Sequence, residues 1–139
     1  LPYLTYFIER AGYMPPEDID FAVPVPLHVD KERQRGFNQA EEIFRPWLAA
    51  HGVPLRRVIQ RKYATKPMYG LKRRERAENL RDAFSLTGGV CIQGKNILLI
   101  DDIFTTGATA RACRRVLETA GAGRVALLVL ASNADKYTL

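Results

Sequence analysis

Asp101 and Asp102 follow the apolar run Ile97, Leu98, Leu99 and Ile100, and two residues further on comes Thr105-Thr106-Gly107-Ala108-Thr109. Three hydroxyls, a glycine that lets the backbone curl and the free amides of a helix start make an anion cradle. A helix dipole adds only about 0.3 to 1 kcal/mol per favourable charge, so several directed amide and hydroxyl bonds must supply most of the grip on a phosphate. Two carboxylates beside such a cradle would repel the anion if they faced it. They are expected to face donors instead, namely the hydroxyls of a sugar or a divalent cation. A plainer alternative makes Asp101 a strand-end residue and Thr106 an ordinary helix N-cap. The full run ILLIDDIFTTGAT at 97–109 favours the cradle. A Walker-type loop is excluded, because Gly94-Lys95 precedes the apolar run and no Gly-Lys-Ser/Thr follows a glycine-rich turn.

For these groups to meet, residues 96–100 must form a buried strand and residues 109–120 a helix. The first is a continuous apolar run of the kind a parallel sheet buries on both faces. In the second, Ala112, Cys113, Val116, Leu117 and Ala120 share one face opposite Arg111, Arg114, Arg115 and Glu118, and Gly121 closes it. Residues 21–27 read as a strand at a sheet margin, with Pro24 and Pro26 where ladder donors are not needed. A charged loop at 28–36 leads to a helix that starts at Asn38, an N-cap residue with Glu41 three positions on; Phe37, Ala40, Phe44, Trp47 and Leu48 recur at helical spacing. Residues 55–60 can form another strand, and 124–131 a last one. Residues 84–87 and 90–92, parted by Gly88-Gly89, read as two short strands or a hairpin. Strands alternating with helices predict an α/β domain with a central parallel sheet flanked by helices.

At 139 residues the chain fits one domain, 1–139, with a helical lead-in at 1–20 and a flexible basic loop at 61–81. Its apolar and charged fractions, 47% and 26%, match an ordinary folded domain. The longest apolar runs fall short of a membrane span, and the start of the chain carries Glu9 and Arg10, so no membrane insertion or signal peptide is expected. Cys91, on an expected strand, and Cys113, on a helix face, do not make a disulfide framework, which suits the cytoplasm. His28 and His51 lie far apart, so no zinc is expected. The net charge of +6 is unevenly placed: minus 4 over 1–30, plus 8 over 31–82, plus 2 over 83–139. A basic middle third attracts anions, whether polyphosphate metabolites or nucleic acid.

The run at 97–109 resembles the motif of type I phosphoribosyltransferases that binds 5-phosphoribosyl-1-pyrophosphate (PRPP). Further segments resemble the ComF competence-protein branch of that family: AVPVPLH at 22–28, RQRGFNQ at 33–39, TKP at 65–67, RRER at 73–76, Asn79-Leu80 and Ala83-Phe84. The resemblance implies a type I phosphoribosyltransferase fold with a basic flexible hood. Asp101 and Asp102 would meet the ribose 2′ and 3′ hydroxyls, and Thr105, Thr106, Gly107, Ala108 and Thr109 would surround the 5′-phosphate. The loop 28–36 would lie against pyrophosphate and the stretch 61–76 would cover it, with Lys31, Arg33, Arg35 and Lys66 as leaving-group contacts. Magnesium would arrive on the pyrophosphate, with Asp101 and Asp102 as further ligands. Two features depart from the branch: Met68 stands where a glutamine is usual, and no cysteine-rich zinc module is present.

Catalysis would be displacement of pyrophosphate from the anomeric carbon, with basic groups and magnesium stabilising the leaving group and the hood excluding water. Nothing in the sequence names the acceptor; Tyr69 or Phe104 could stack on a base or simply pack. A second reading is a binding module for single-stranded DNA in natural transformation, because Tyr63 and Tyr69 lie among Arg61, Lys62, Lys66, Lys72, Arg73 and Arg74. A non-catalytic PRPP sensor is a third, and competence-machinery proteins or a second copy in a homodimer stay open as partners.

Overall fold

The computed structural model describes residues 14–27, 36, 38–61, 83–104 and 107–132. Strand β1 (Phe21–Pro24) is buried throughout, as its apolar sequence requires. It pairs in parallel with β4 (Asn96–Phe104), Phe21 opposite Ile97 and Pro24 opposite Ile100. Pro24 lacks a donor and ends the strand, and the ladder closes beyond it through Val25 N–H to the Ile100 carbonyl at 2.9 Å. On the other side of β4 lies β5 (Arg124–Ser132), also parallel, so the sheet order is β1-β4-β5.

Side chains alternate along a strand, so β4 must be apolar on both faces to sit in the middle of this sheet. Ile97 and Leu99, with Phe21 and Val23, pack against Ala112, Cys113 and Leu117 of helix α2 (Ala108–Thr119). Leu98 and Ile100, with Ala22, pack against Ile43, Phe44, Trp47 and Leu48 of helix α1 (Gln39–Ala50). One helix on each face gives three layers, and each large side chain fully buried this way contributes about 1.5 to 3 kcal/mol. The α/β class and the parallel sheet expected from the sequence are therefore present.

Asn38 caps α1 as its sequence position predicts, its side-chain oxygen accepting from Glu41 N–H at 3.4 Å. Its amide nitrogen also donates to the Val25 carbonyl at 3.1 Å, which ties the helix start to the exit of β1. Glu41, 2% exposed, accepts from Arg57 through both oxygens, Nη2 to Oε2 at 2.8 Å, and from Arg45 at 3.2 Å. A buried carboxylate is thus held by two guanidinium groups that themselves reach solvent.

Three expectations change. Residues 84–87 do not pair with 90–92. Strand β3 (Phe84–Leu86) pairs antiparallel with β2 (Ile59–Arg61), Arg61 opposite Phe84, while Val90 to Ile92 is a loop between two turns that carries exposed Cys91 and buried Ile92. A partner about 25 positions away leaves no local pattern, and the glycine pair suggested the wrong neighbour. Residues 14–20, within the expected helical lead-in, contain a turn at Glu17 and Asp18 and no helix, since Pro15 and Pro16 remove consecutive donors. That turn is stitched to the sheet: Asp20 accepts from Asn96 N–H at 2.8 Å, and Asp18 pairs with Arg124. Finally, β4 runs four residues past Ile100, with Asp101 opposite Val129 and Phe104 opposite Ser132. The paired acids stand in a strand rather than a loop.

Candidate functional site

β1 stops opposite Ile100 while β4 and β5 continue, so from Asp101 onward one side of β4 has no strand beside it among the described residues. A cavity of about 200 Å3 fills that notch. Asp101 and Asp102 form one wall. Val25, Pro26 and Leu27, leaving β1, form another, and the first turns of both helices close it: Asn38 to Ala40 from α1, Gly107 to Ala110 from α2. Two helix N-termini each bring positive partial charge to one cavity at the carboxyl ends of parallel strands, opposite the wall of aspartates.

The start of α2 is cut for close approach. Its N-cap is Gly107, with φ of 80°, rather than Thr106; a residue with a Cβ is strained in this left-handed conformation. Gly107 offers no capping side chain, and no acidic residue lies in the helix's first turn. The amide end is therefore directed at the cavity without a carboxylate of its own helix beside it.

Asp102 N–H donates to Asp101 Oδ1 at 2.9 Å. Burial pushes the Asp101 carboxyl up to about 7; the hydrogen bond that the protonated carboxyl donates to the Asp102 side chain, and the Asp102 charge, add to this, against the backbone amide of Asp102. Strand alternation puts Asp101 on the α2 face, where burial of the Cys113 thiol, and after it the Asp101 charge, push that thiol far up. Arg61, the last residue of β2, lines the same cavity, and burial lowers its pKa. Its guanidinium carbon lies 5.4 Å from the Phe84 ring centre.

Of the residues singled out from sequence, Asp101, Asp102, Gly107, Ala108 and Thr109 line this one cavity. Thr105 and Thr106, the cationic residues Lys31, Arg33, Arg35 and Lys66, Met68, Tyr63 and Tyr69, and the hood from 62 onward lie outside the described residues. Sequence reasoning found Asn38 only as a cap and counted Arg61 with the basic stretch. That each ends or begins an element was the available signal, because such ends gather at one rim of a parallel sheet.

Among the described residues no group of three or more His, Cys, Asp and Glu side chains could hold a metal. Two carboxylates, one of them held near neutral pKa, suit magnesium that brings its own phosphate oxygens better than a bare ion. Likewise no described helix is long and apolar enough to cross a membrane.

The family model for the phosphoribosyl transferase domain matches residues 34–139. The chain belongs to the phosphoribosyl transferase family. Within it, the chain falls in the ComF branch. It is 37% identical over 109 residues to competence protein ComFC of Bacillus subtilis, covering 78% of this chain and 42% of that protein. It is 34% identical over 109 residues to DNA utilization protein YhgH of Escherichia coli K12, covering 76% and 46%. Competence protein F of Haemophilus influenzae is 30% identical over 111 residues, covering 78% and 48%. The chain thus spans about half the length of these relatives.

Solved structures agree on the fold. The glutamine PRPP amidotransferase of B. subtilis, complexed with ADP and GMP, superposes with a TM-score of 0.59 at 19% identity, over 91% of this chain and 25% of that one. The hypoxanthine phosphoribosyl transferase of Trypanosoma cruzi gives 0.54 at 15% identity, over 99% and 63%. At such identities the likeness establishes the type I phosphoribosyltransferase fold, and the sheet β1-β4-β5 between α1 and α2 is its core here.

Proposed function

We propose that this ComF-type chain binds PRPP in the cavity between Asp101 and Gly107 and serves the handling of DNA taken up by the cell. The observation that carries the reading is that paired carboxylates and the glycine-started end of α2 line one sugar-sized cavity. The 5′-phosphate accepts from the amides of Gly107 to Thr109, and the ribose hydroxyls donate to Asp101 and Asp102. Thr105 and Thr106 complete the phosphate grip, and Lys31, Arg33, Arg35 and Lys66 serve the pyrophosphate.

If the chain is catalytic, the reaction would be a displacement: an acceptor's lone pair forms the new bond to the anomeric carbon as the carbon–oxygen bond breaks and its electron pair leaves with pyrophosphate. Asp101 and Asp102 would help to hold a magnesium ion arriving with the diphosphate, which would supply charge neutralisation for that leaving group. The names of the relatives, competence and DNA utilization proteins, support the cellular setting.

The test is thermal unfolding with PRPP, with and without magnesium, on the wild type and on Asp101→Asn/Asp102→Asn. Ligand at a hundred times its Kd stabilises the fold by about 2.7 kcal/mol. The wild type is expected to shift and the double variant to shift far less; a wild type that PRPP leaves unmoved rejects the reading. Release of pyrophosphate on adding an acceptor separates catalysis from sensing.

A further inference from the structure

Strand β5 is apolar without being buried. Its neighbour β4 buries every side chain from Ile97 to Ile100, because β1 and β5 flank it and a helix covers each face. β5 is built from the same kinds of residue, Val125-Ala126-Leu127-Leu128-Val129-Leu130, yet none of them reaches full burial and Leu127 is 38% exposed. Position is the cause. β5 pairs with β4 along one edge and with no strand along the other among the described residues. The far edge of the sheet is covered: Ala22 of β1 accepts from Arg56 N–H at 2.9 Å and donates to the Pro54 carbonyl at 2.8 Å.

An open edge offers a row of free backbone donors and acceptors, and proteins ordinarily blunt it with a charge, a proline or a bulge. From Val125 to Ala131 there is neither charge nor proline. Nor is there a bulge, since the register with β4 runs without slip from Asn96 opposite Arg124 to Phe104 opposite Ser132. Nucleic acid or an acidic peptide finds no cation along this stretch, so the occupant it suits is another uncharged, apolar strand. β5 is itself such a strand. A two-fold axis that sets the edge antiparallel against its own copy makes it self-complementary and leaves no further edge open there. With the axis at Leu128, the midpoint of the strand, Leu127 of one copy stands opposite Val129 of the other on the α2 face. The charge at the rim does not oppose the approach, because Arg124 is already paired with Asp18.

We propose that β5 is a docking edge for a second copy of this chain, joining two three-stranded sheets into one continuous sheet. Its size sets the strength. Nine residues at about 3.3 Å each make a seam about 30 Å long, and layers about 10 Å deep on each face give roughly 600 Å2 per copy. That is below the about 800 Å2 per partner of a standard stable interface, so the dimer belongs in the micromolar range. β5 contributes no residue to the notch, which opens on the other side of β4, so the proposal does not depend on the PRPP reading.

The experiment is sedimentation velocity of the whole chain from about 1 to 500 μM, with amide exchange followed at both ends of that range. The variants are Leu127→Lys, Leu127→Thr and Met14→Lys. Met14, 66% exposed, is the other exposed large apolar side chain among the described residues, and it takes the same charge away from the strand. Wild type and Met14→Lys are expected to pass from monomer to dimer, with exchange slowing over residues 124–132 in the dimer. Leu127→Lys should weaken the dimer about tenfold or more, and Leu127→Thr, which keeps a strand-forming residue but trims the apolar surface, about threefold. A wild type that stays monomeric throughout overturns the proposal, as does an assembly larger than a dimer. A dimer whose β5 amides exchange as they do in the monomer is held by another face, and β5 amides already protected in the monomer are covered by the chain itself; either result also overturns it. So does an equal loss in Met14→Lys. Should Leu127→Lys fail to fold, Leu127→Thr decides alone, and an undiminished dimer there counts against the proposal.

Discussion

Asp102 donates its backbone N–H to Oδ1 of its neighbour Asp101 at 2.9 Å, in a stretch of β4 that has outrun β1. Burial, opposed by that amide, pushes the Asp101 carboxyl up to about 7, and both aspartates line the same cavity.

The Asp101 carboxyl is raised in the folded state, so the stability it allows is fully present below its unfolded value near 4 and is lost as pH rises through about 7. The loss is at most about 4 kcal/mol, reduced by the solvent that reaches the partly open pocket. Urea denaturation of wild type and Asp101→Asn between pH 4 and 8 should show the variant gaining on the wild type as pH rises. A constant difference would contradict the assignment.

Gly107 begins α2 with a left-handed backbone. Gly107→Ala is expected to cost about 1 to 2 kcal/mol of stability and to weaken ribose 5-phosphate binding. Gly107→Asn should unfold later than Gly107→Ala in the same melt, because asparagine tolerates this conformation better.

Asn38 both caps α1 and donates to the Val25 carbonyl. Asn38→Ala should lose about 1 to 2 kcal/mol in chemical denaturation. Asn38→Asp keeps the cap but loses the donor and adds a negative charge to the cavity wall. Its affinity for ribose 5-phosphate should therefore fall further than that of Asn38→Ala.

Glu41 is buried and its chief partner Arg57 is largely exposed, so removing Arg57 leaves Arg45 as the remaining cation on that carboxylate among the described residues. Arg57→Ala is expected to destabilise by about 1 to 3 kcal/mol. Adding Glu41→Gln should restore part of that, and a double-mutant cycle in urea reads the coupling directly.

The sequence by itself determined the α/β class, the buried central strand at 97–100, the capped helix at Asn38 and the apolar face of α2. Each is written in local periodicity or in a residue type suited to one backbone position. It also brought Asp101, Asp102 and Gly107 to 109 to attention through adjacency along the chain. Only the tertiary structure decided that Phe84–Leu86 pairs with Ile59–Arg61, that β4 extends beyond β1 to open a notch, and that Asn38 and Arg61 line it. Those facts depend on contacts between residues far apart in the chain, whose energies come from burial and from hydrogen bonds across strands. Such contacts leave no period or spacing to read, and they exist only when the elements are packed.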